Sequence, residues 1–381
     1  MVRLLKLGIY DPAYLDGFYR QRSGLAEASY GAQHRALIED RAASSDFWTA
    51  ALARIGYETA DVIANAAPLQ RRWALENAPV AGRNGDPFGI SIAQARSFAP
   101  DVVLVADYST FSPDFLRALR AECPSIKRIV GWCGAPYRDL SVIREWDLAL
   151  SCVPELVAGL RAGGIAAHHV NHGFDPRILG QLVDVPSPTP FSFLGSVVRS
   201  AGFHEEREKL LAHLLERTPL QIWSSAARRT GPAGRARQFA RRLLRRGPPP
   251  LDPLIARRAQ PPLFGLAMFR KLRESSVTLN THIDISARSA SNMRLFEATG
   301  AGACLLTDRK DNLADLFEPD REVVTYGSPE EAVEKYRFLA DHPAERTGIA
   351  AAGQRRALRD HGFESRAARI DEILRASLKA A

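Results

Sequence analysis

Short apolar runs alternate with stretches of helical periodicity in the first half of the chain. The apolar runs span residues 3–10, 59–63, 101–106, 128–132 and 147–151. Helical patterns lie at 47–56, 112–121 and 154–162. Strands that alternate with helices predict a parallel sheet joined by right-handed crossovers. The pattern therefore indicates an α/β fold, with an irregular segment from residue 11 to about residue 46.

The second half of the chain repeats this alternation. Further strands are predicted at 191–194, 277–280, 303–306 and 322–326. A proline-rich stretch near residue 186 precedes them and is typical of a domain boundary. We expect three parts: residues 1–185, residues 186–362 with a basic insertion at 225–262, and a C-terminal helix at 363–381.

Residues 289–307 are predicted to form a loop, a short helix, a glycine turn and a buried strand. Ser289 or Ser291 is a candidate N-cap of the helix, because a serine hydroxyl can accept a hydrogen bond from a free N–H of the first turn. Gly300 and Gly302 can adopt positive φ and are predicted to end the helix. The helix would start at the carboxyl end of the preceding strand, where open parallel sheets bind ligands.

Three polar residues follow within one and a half turns. Asn292 offers an amide, Arg294 a forked cation and Glu297 a carboxylate. With the positive end of the helix dipole, this set suits a phosphorylated, hydroxyl-rich ligand, with the cation for phosphate and the carboxylate for a ribose diol. The alternative is that Arg294 and Glu297, three residues apart, pair on a solvated helix face. The residues alone leave both interpretations open.

The runs TLNTH (278–282), NMRLFEA (292–298) and LLTD (305–308) resemble the C-terminal half of GT-B glycosyltransferases. More narrowly, they resemble the CgeB-type group named after spore-maturation proteins. The resemblance implies two Rossmann-like parallel-sheet domains that face each other across a cleft. In related retaining enzymes, a glutamate in the matching helix binds the ribose of the donor, and Glu297 takes that position. Those enzymes carry another glutamate where this chain has Ser289, whereas the CgeB-type group has the Asn292 and Arg294 pair.

The first strand of the second half is followed by Gly195 and Ser196, and then by Arg199. A glycine after a strand lets backbone approach a phosphate closely. In GT-B enzymes the matching loop contacts the donor diphosphate, so the resemblance implies a donor-binding role for this loop, with Arg199 as a candidate cation. His204 and Arg207 follow on a charged helix. Either could reach the pocket, but the favoured interpretation is that both are solvated.

The resemblance implies a glycosyltransferase, of hexosyl or deoxyhexosyl type, that uses a nucleotide-sugar co-substrate. No Asp-x-Asp pair ends a predicted strand, so we expect no metal and no other cofactor. Arg294, Asn292, Gly195 and Arg199 would then hold the diphosphate.

An inverting reaction needs a base near the acceptor hydroxyl. Asp107 after the third strand, His34 in the first loop, and Asp139 are the candidates. A retaining reaction could proceed without any of them.

The formal charge of +8 is concentrated in one segment. Residues 228–258 contain ten arginines and one acid, which leaves the remainder of the chain near −1. The segment is either a basic amphipathic helix that docks on an anionic membrane surface, as glycosyltransferases of lipid-linked or envelope glycans require, or an insertion of no defined role. A single interleaved aromatic, Phe239, argues against nucleic acid as a partner.

Other features of the sequence set the expected location. Four cysteines show no paired metal spacing and fit a reduced, cytoplasmic protein, peripheral to the membrane if the basic segment docks there. The start of the chain is too short and too charged for a signal peptide. The expected role is polysaccharide or cell-envelope biosynthesis, with a glycan or lipid-linked acceptor.

Three other functions are compatible with parts of the sequence. One is a non-catalytic nucleotide-binding protein on the same fold, and another is a basic adaptor that binds membranes or nucleic acid. The third is a dinucleotide-dependent oxidoreductase, which the lack of a G-x-G-x-x-G motif in the first strand–helix unit counts against.

Overall fold

The computed structural model describes residues 1–77, 86–137, 139–182, 189–198, 203–227 and 251–379. It divides into two units, of which unit 1 comprises Met1–His172 and the chain from Gly362 onward, and unit 2 comprises Gly173–His361. Each unit contains one parallel sheet flanked by helices, so the predicted α/β class is confirmed.

Eleven strands lie in the described residues. They are β1 (Arg3–Gly8), β2 (Glu58–Ile63), β3 (Val102–Val105), β4 (Arg128–Trp132), β5 (Leu148–Ser151), β6 (Ala167–His169), β7 (Thr189–Leu194), β8 (Leu220–Trp223), β9 (Ser275–Asn280), β10 (Cys304–Asp308) and β11 (Val324–Tyr326). Every predicted strand is present, whereas β6 and β8 were not predicted.

Fifteen α-helices lie in the same residues. They are α1 (Pro12–Arg20), α2 (Tyr30–Glu39), α3 (Phe47–Arg54), α4 (Ala67–Glu76), α5 (Pro87–Phe98), α6 (Pro113–Glu122), α7 (Pro154–Ala162), α8 (Glu205–Arg217), α9 (Pro253–Arg258), α10 (Gly265–Arg273), α11 (Met293–Ala301), α12 (Leu313–Leu316), α13 (Pro329–Asp341), α14 (Pro343–Asp360) and α15 (Phe363–Lys379). No helix among them combines the length and the apolarity that crossing a bilayer requires.

The prediction of an irregular segment up to residue 46 was wrong, because α1 and α2 lie there. Asp11 caps α1 by accepting from the Ala13 N–H, and Ser29 caps α2 by accepting from the Ala32 N–H. The apolar positions of α2 are few, so its short buried stripe gives only a weak periodic signal.

The sheet of unit 1 has the strand order β2-β1-β3-β4-β5-β6, and all its pairs are parallel. The central strands read as continuous apolar runs because helices cover both faces of such a sheet. Val102–Val105 and Leu148–Ser151 are buried at every position.

The helix α15 completes unit 1. Phe363 packs against Phe47 and Trp48 of α3, with ring centroids 5.2 and 4.9 Å apart. The Tyr57 hydroxyl donates to the Asp371 carboxylate at 2.7 Å. Unit 1 is therefore assembled from two separate stretches of chain.

The sheet of unit 2 has the strand order β11-β10-β9-β7-β8, again with all pairs parallel. Its core includes the stacked rings of Phe191 and Tyr336, whose centroids are 4.3 Å apart. Because β9 lies between β10 and β7, the carboxyl ends of these three strands are neighbours at one edge of the sheet.

A glycine contact joins α11 to the start of unit 2. Gly300 was predicted to turn the chain, but α11 continues through it, and Gly302 with φ of +88° ends the helix. A Cβ at position 300 would lie 2.2 Å from the Phe174 ring. Gly300 is thus needed for close packing against the buried Phe174 ring. Phe174 belongs to unit 2, which starts at Gly173, whereas the predicted boundary lay at 185.

Gly300→Ala should destabilise unit 2, because the added methyl overlaps the buried Phe174 ring. We expect the free energy of unfolding to fall by about 1–3 kcal/mol. Gly348→Ala in α14 is the matched control, since a Cβ there meets nothing within 4 Å, and it should raise stability by about 0.5–1 kcal/mol. Denaturant titration of both variants measures the difference, and equal stabilities would contradict the packing role of Gly300.

Candidate functional site

Polar side chains gather where β7, β9 and β10 end in unit 2. These strands end at Leu194, Asn280 and Asp308. The carboxyl ends of adjacent parallel strands are where open α/β sheets leave room for a ligand. The helix that follows β9 along the chain is α11, so its start belongs to the same region.

Asn292 is the N-cap of α11 and fixes the helix start to the end of β9. Its Oδ1 accepts from the Leu295 N–H at 3.2 Å, and its Nδ2 donates to Asn280 Oδ1 at 2.8 Å and to the Thr281 carbonyl at 3.1 Å. The prediction that Ser289 or Ser291 caps the helix was therefore wrong. Asn292 occupies the N-cap position, from which a side-chain oxygen can accept from the N–H of the third residue after it.

Arg294 connects α11 to the end of β7. Its Nε donates to the Leu194 carbonyl at 3.1 Å, and its Nη1 lies 2.8 Å from Glu297 Oε2. The Arg294 and Glu297 side chains are only 16% and 9% exposed. The Arg294–Glu297 ion pair, which was considered as an alternative on a solvated helix face, does form. It is largely buried in unit 2, beside the loop after β7.

Gly195 and Ser196 form the start of that loop. The Gly195 N–H donates to the Trp223 carbonyl at 3.1 Å, which continues the pairing of β7 with β8. The Ser196 carbonyl accepts from Arg207 Nη1 at 2.8 Å. Arg199, the predicted cation of the loop, lies outside the described residues.

Arg207 lies among these residues, although the favoured sequence interpretation placed it in solvent. It was interpreted as solvated, yet it is 7% exposed, and its Nη2 donates to the Thr281 carbonyl at 2.7 Å while Nη1 holds Ser196. Burial lowers the pKa of its guanidinium to about 10, so it stays charged at neutral pH. No carboxylate of the described ranges forms an ion pair with it, so Arg207 adds positive charge between the loops after β7 and β9.

His204 was also interpreted as solvated and is buried, with 4% of its surface exposed. Its Nδ1 accepts from the Val198 N–H at 2.7 Å, which ties the residue before α8 to the end of the segment that follows β7. Burial, together with the positive charge of Arg207, lowers the pKa of His204 to about 3. The ring is therefore neutral over the physiological range.

A histidine–carboxylate pair lies at the ends of β9 and β10. His282 Nδ1 is 2.7 Å from Asp308 Oδ1, and Lys310 Nζ is 3.2 Å from Asp308 Oδ2. Burial alone would raise the pKa of the Asp308 carboxyl, but His282 and Lys310 outweigh it and hold that pKa well below its usual range. One signal for this pair was present in the sequence, because each partner stands at or just after the end of a predicted strand.

The three base candidates lie in unit 1, on separate elements. His34 is on α2 rather than in a loop, since the first segment is helical. Its Nε2 lies 2.9 Å from the Asp61 carbonyl, and its ring stacks on Tyr30 with centroids 5.6 Å apart.

The two aspartates among the candidates hold turns. Asp107 Oδ1 accepts from the N–H groups of Ser109 at 2.8 Å and Thr110 at 2.7 Å. Asp139 is exposed, and hydrogen bonds from the Ser141 hydroxyl and N–H lower the pKa of its carboxyl. Each has a local structural role in addition to any role in chemistry.

The described part of the chain contains no group of three or more histidine, cysteine, aspartate or glutamate side chains placed to hold a metal ion. What the site in unit 2 does offer is a helix N-terminus, two arginines, one carboxylate paired with Arg294 and one histidine–aspartate pair. Such a set can bind an anion that also carries hydroxyl groups.

Comparison with known families gives one match. Residues 205–372 match the family described as "Glycosyl transferase-like", and this segment contains α8, α11 and most of unit 2 but less than half of the chain. The match supports glycosyl transfer in general for the part that carries the candidate site. No curated protein sequence matches the chain.

Solved structures share the fold over the whole chain. Sucrose-phosphate synthase from Thermosynechococcus elongatus has a TM-score of 0.56 at 12% identity, with 100% of both chains covered. AviGT4, a glycosyltransferase involved in avilamycin A biosynthesis, has a TM-score of 0.55 at 16% identity, covering 100% of this chain and 99% of its own. Anabaena Alr3699/HepE in complex with UDP-glucose has a TM-score of 0.53 at 12% identity, with 99% of this chain and 100% of its own covered. At these identities the likeness shows the fold, which is that of GT-B glycosyltransferases.

Acid should destabilise the folded protein through His204. The unfolded chain binds a proton at this histidine below the ordinary pKa of about 6.5, whereas the folded chain does so only below about pH 3. The stability of the fold therefore decreases as pH falls from 6.5 to 3. His204→Gln removes this contribution, and its melting temperature should decline less steeply between pH 6.5 and pH 3 than that of the parent protein.

The control for this prediction is His342→Gln, because His342 is exposed. Its melting temperature should follow the parent protein across the same pH series. If His204→Gln and the parent protein lose the same number of degrees over this window, the burial of a neutral His204 is disproved.

Proposed function

We propose that this chain, whose residues 205–372 match a glycosyl transferase-like family, transfers a sugar from a nucleotide-diphosphate donor to an acceptor hydroxyl. The donor binds in unit 2, at the carboxyl ends of β7 and β9. The observation that carries the proposal is the buried Arg294–Glu297 pair, which places a cation and a carboxylate beside the helix start and the loop after β7.

The roles of the side chains follow from their chemistry. The free N–H groups at the start of α11 and the backbone of Gly195 and Ser196 receive the diphosphate, and Arg294 neutralises its charge. Arg199 is proposed as a further cation of the same loop. Glu297 accepts from the ribose hydroxyls while it keeps its bond to Arg294. Arg207 holds the two loops in place and adds positive charge behind them.

In the reaction, the bond between the anomeric carbon and the diphosphate oxygen breaks, and a bond to the acceptor oxygen forms. The leaving diphosphate gains charge as it departs, so preorganised cations at its binding site favour the transition state. The acceptor proton goes to His34, Asp107 or Asp139 if the reaction inverts the anomeric carbon, whereas in a retaining reaction the departing diphosphate oxygen takes that proton and no such base is needed. The anomeric configuration of the product, read by NMR, separates these cases.

The donor class is supported by the shared fold with HepE, whose structure contains UDP-glucose. We propose that no metal is required, because Arg294, Arg207 and the start of α11 supply positive charge on their own. The runs 278–282 and 292–298 support the further proposal that unit 2 is of the CgeB type.

The acceptor is proposed to be a glycan or a lipid-linked sugar, in polysaccharide or cell-envelope synthesis, with hexosyl or deoxyhexosyl transfer as the reaction. Of the basic segment 228–258, the structure describes only the part from Leu251, where Arg258 Nη1 donates to the Leu215 carbonyl of α8 at 2.7 Å. The arginines from 228 to 246 lie outside the described residues. We propose that they bring a cytoplasmic enzyme to an anionic membrane surface.

A ligand screen tests the proposed function. UDP, GDP and dTDP and their glucose or mannose derivatives are added to the protein with and without EDTA, and the melting temperature and sugar release are followed. At least one nucleotide sugar should raise the melting temperature and be slowly hydrolysed, with EDTA having no effect. Absence of binding by every compound would reject the enzyme assignment, and loss of activity with EDTA would reject metal independence.

Glu297→Gln tests ribose recognition and keeps the side-chain shape and its bond to Arg294. The affinity for the ribonucleotide that binds in the screen should fall about tenfold, because a charge-assisted hydrogen bond to a hydroxyl becomes a neutral one. The affinity for its 2′-deoxy analogue should change much less. The ratio of the affinity for the ribonucleotide to that for the deoxy analogue should therefore decrease.

Glu318→Gln is the matched control for this variant. Glu318 pairs with Arg321 three residues away, as Glu297 pairs with Arg294, but both of these side chains are more than half exposed. Its nucleotide affinities should equal those of the parent protein. An unchanged ribose preference in Glu297→Gln would remove Glu297 from the site.

A further inference from the structure

His282 has one ring nitrogen that the described structure leaves unpaired. The side chain is 0% exposed, and Nε2 is buried with no hydrogen-bond partner among the described residues. Nδ1 on the other side of the ring is bonded to Asp308. A buried nitrogen without a partner is unfavourable, and a hydrogen-bonding group that arrives with a ligand would satisfy it.

The surroundings of Asp308 determine which nitrogen carries the proton. Asp308 Oδ2 accepts from the backbone N–H of His282 at 3.2 Å and lies 3.2 Å from Lys310 Nζ. Asp308 Oδ1 faces Nδ1 at 2.7 Å. Because an ionised carboxylate only accepts hydrogen bonds, Nδ1 carries a hydrogen, and in the tautomer whose single proton is on Nδ1 the other nitrogen, Nε2, is an acceptor.

The ring is anchored within the proposed donor site. The carbonyl of Thr281, the residue before His282, accepts from both Arg207 Nη2 and Asn292 Nδ2. Charged groups near the ring are Asp308 and Lys310 on the β10 side and Arg207 on α8.

We propose that His282 Nε2 accepts a hydrogen bond from a hydroxyl of the sugar that is transferred. This inference rests on the proposed function and adds a specificity-determining residue to it. The diphosphate offers only acceptors, which an acceptor nitrogen does not bind, and the ribose hydroxyls are assigned to Glu297. The hydroxyls that remain on a glycosyl nucleotide are those of the sugar, and a neutral imidazole nitrogen suits them.

Two substitutions separate the two ring nitrogens. His282→Asn keeps an N–H close to the position of Nδ1, so the bond to Asp308 is retained and the Nε2 function is lost. His282→Gln keeps a polar group close to the position of Nε2 and gives up the bond to Asp308. If His282 serves only to hydrogen-bond Asp308, His282→Asn should retain more affinity for the nucleotide sugar than His282→Gln. If Nε2 contacts the sugar, His282→Gln should retain more.

The probes are the nucleotide sugar and the nucleoside diphosphate that bind the parent protein in the screen, for example UDP-glucose and UDP. In His282→Asn the affinity for the nucleotide sugar should fall roughly tenfold, as expected for one lost hydrogen bond, and the affinity for the nucleoside diphosphate should stay within about twofold. His282→Gln should recover part of the loss. Calorimetry measures the dissociation constants of both ligands for both variants.

Asp308→Asn provides a test that leaves His282 itself intact. The Oδ2 position faces two donors, so the amide oxygen of the introduced asparagine must occupy it, and the amide nitrogen then faces Nδ1. The ring proton is forced to Nε2, which turns the acceptor into a donor. A sugar hydroxyl can also accept a hydrogen bond, so this variant should lose less affinity for the nucleotide sugar than His282→Asn does, and it should keep its affinity for the nucleoside diphosphate.

The outcomes distinguish this inference from the proposed function. If no nucleotide binds the parent protein, both fail. If the parent protein binds and His282→Asn binds the nucleotide sugar equally well, only the role of His282 fails. Equal losses for the nucleotide sugar and the nucleoside diphosphate also overturn it, because the contact would then be to the part that the two compounds share. Melting temperatures of the ligand-free variants confirm that each is folded.

Discussion

The start of α11 is held by the ends of two strands, and the other features of unit 2 depend on this attachment. Asn292 hydrogen-bonds to Asn280 and Thr281 at the end of β9, and Arg294 reaches the Leu194 carbonyl at the end of β7. A buried guanidinium must satisfy its donors, so Arg294 can occupy this place only with a carbonyl and Glu297 in contact. The helix start is consequently tied to the ends of both strands.

The cations at this site differ in the partners that they contact directly. Arg294 is offset by Glu297 and Lys310 by Asp308, whereas the described residues give Arg207 two carbonyls and no carboxylate. Carbonyl oxygens satisfy the hydrogen bonds of a guanidinium but do not cancel its charge. The diphosphate of the proposed donor would bring negative charge to the helix start and to Arg207 together.

The sequence predicted the parts of unit 2 that depend on local pattern. The strands are short runs of apolar residues between turns, and the spacing of Asn292, Arg294 and Glu297 places them within two turns of one helix. Arg207 could not be predicted in this way, because its partners lie 11 and 74 residues away and α8 is charged along most of its length. His282 and Asp308 meet only because β9 and β10 are neighbours in the sheet, which a single sequence does not reveal.

The division of unit 1 into two stretches bears on the order in which the chain folds as it is synthesised. Unit 2 is continuous from Gly173 to His361, so every residue it needs has emerged before α15 is made. The unit 1 sheet emerges first but lacks the helix that covers Phe47 and Trp48 until the residues after Gly362 have been added. The nascent N-terminal half therefore exposes this apolar surface until the last helix has been made, which leaves it open to non-native association for longer than unit 2.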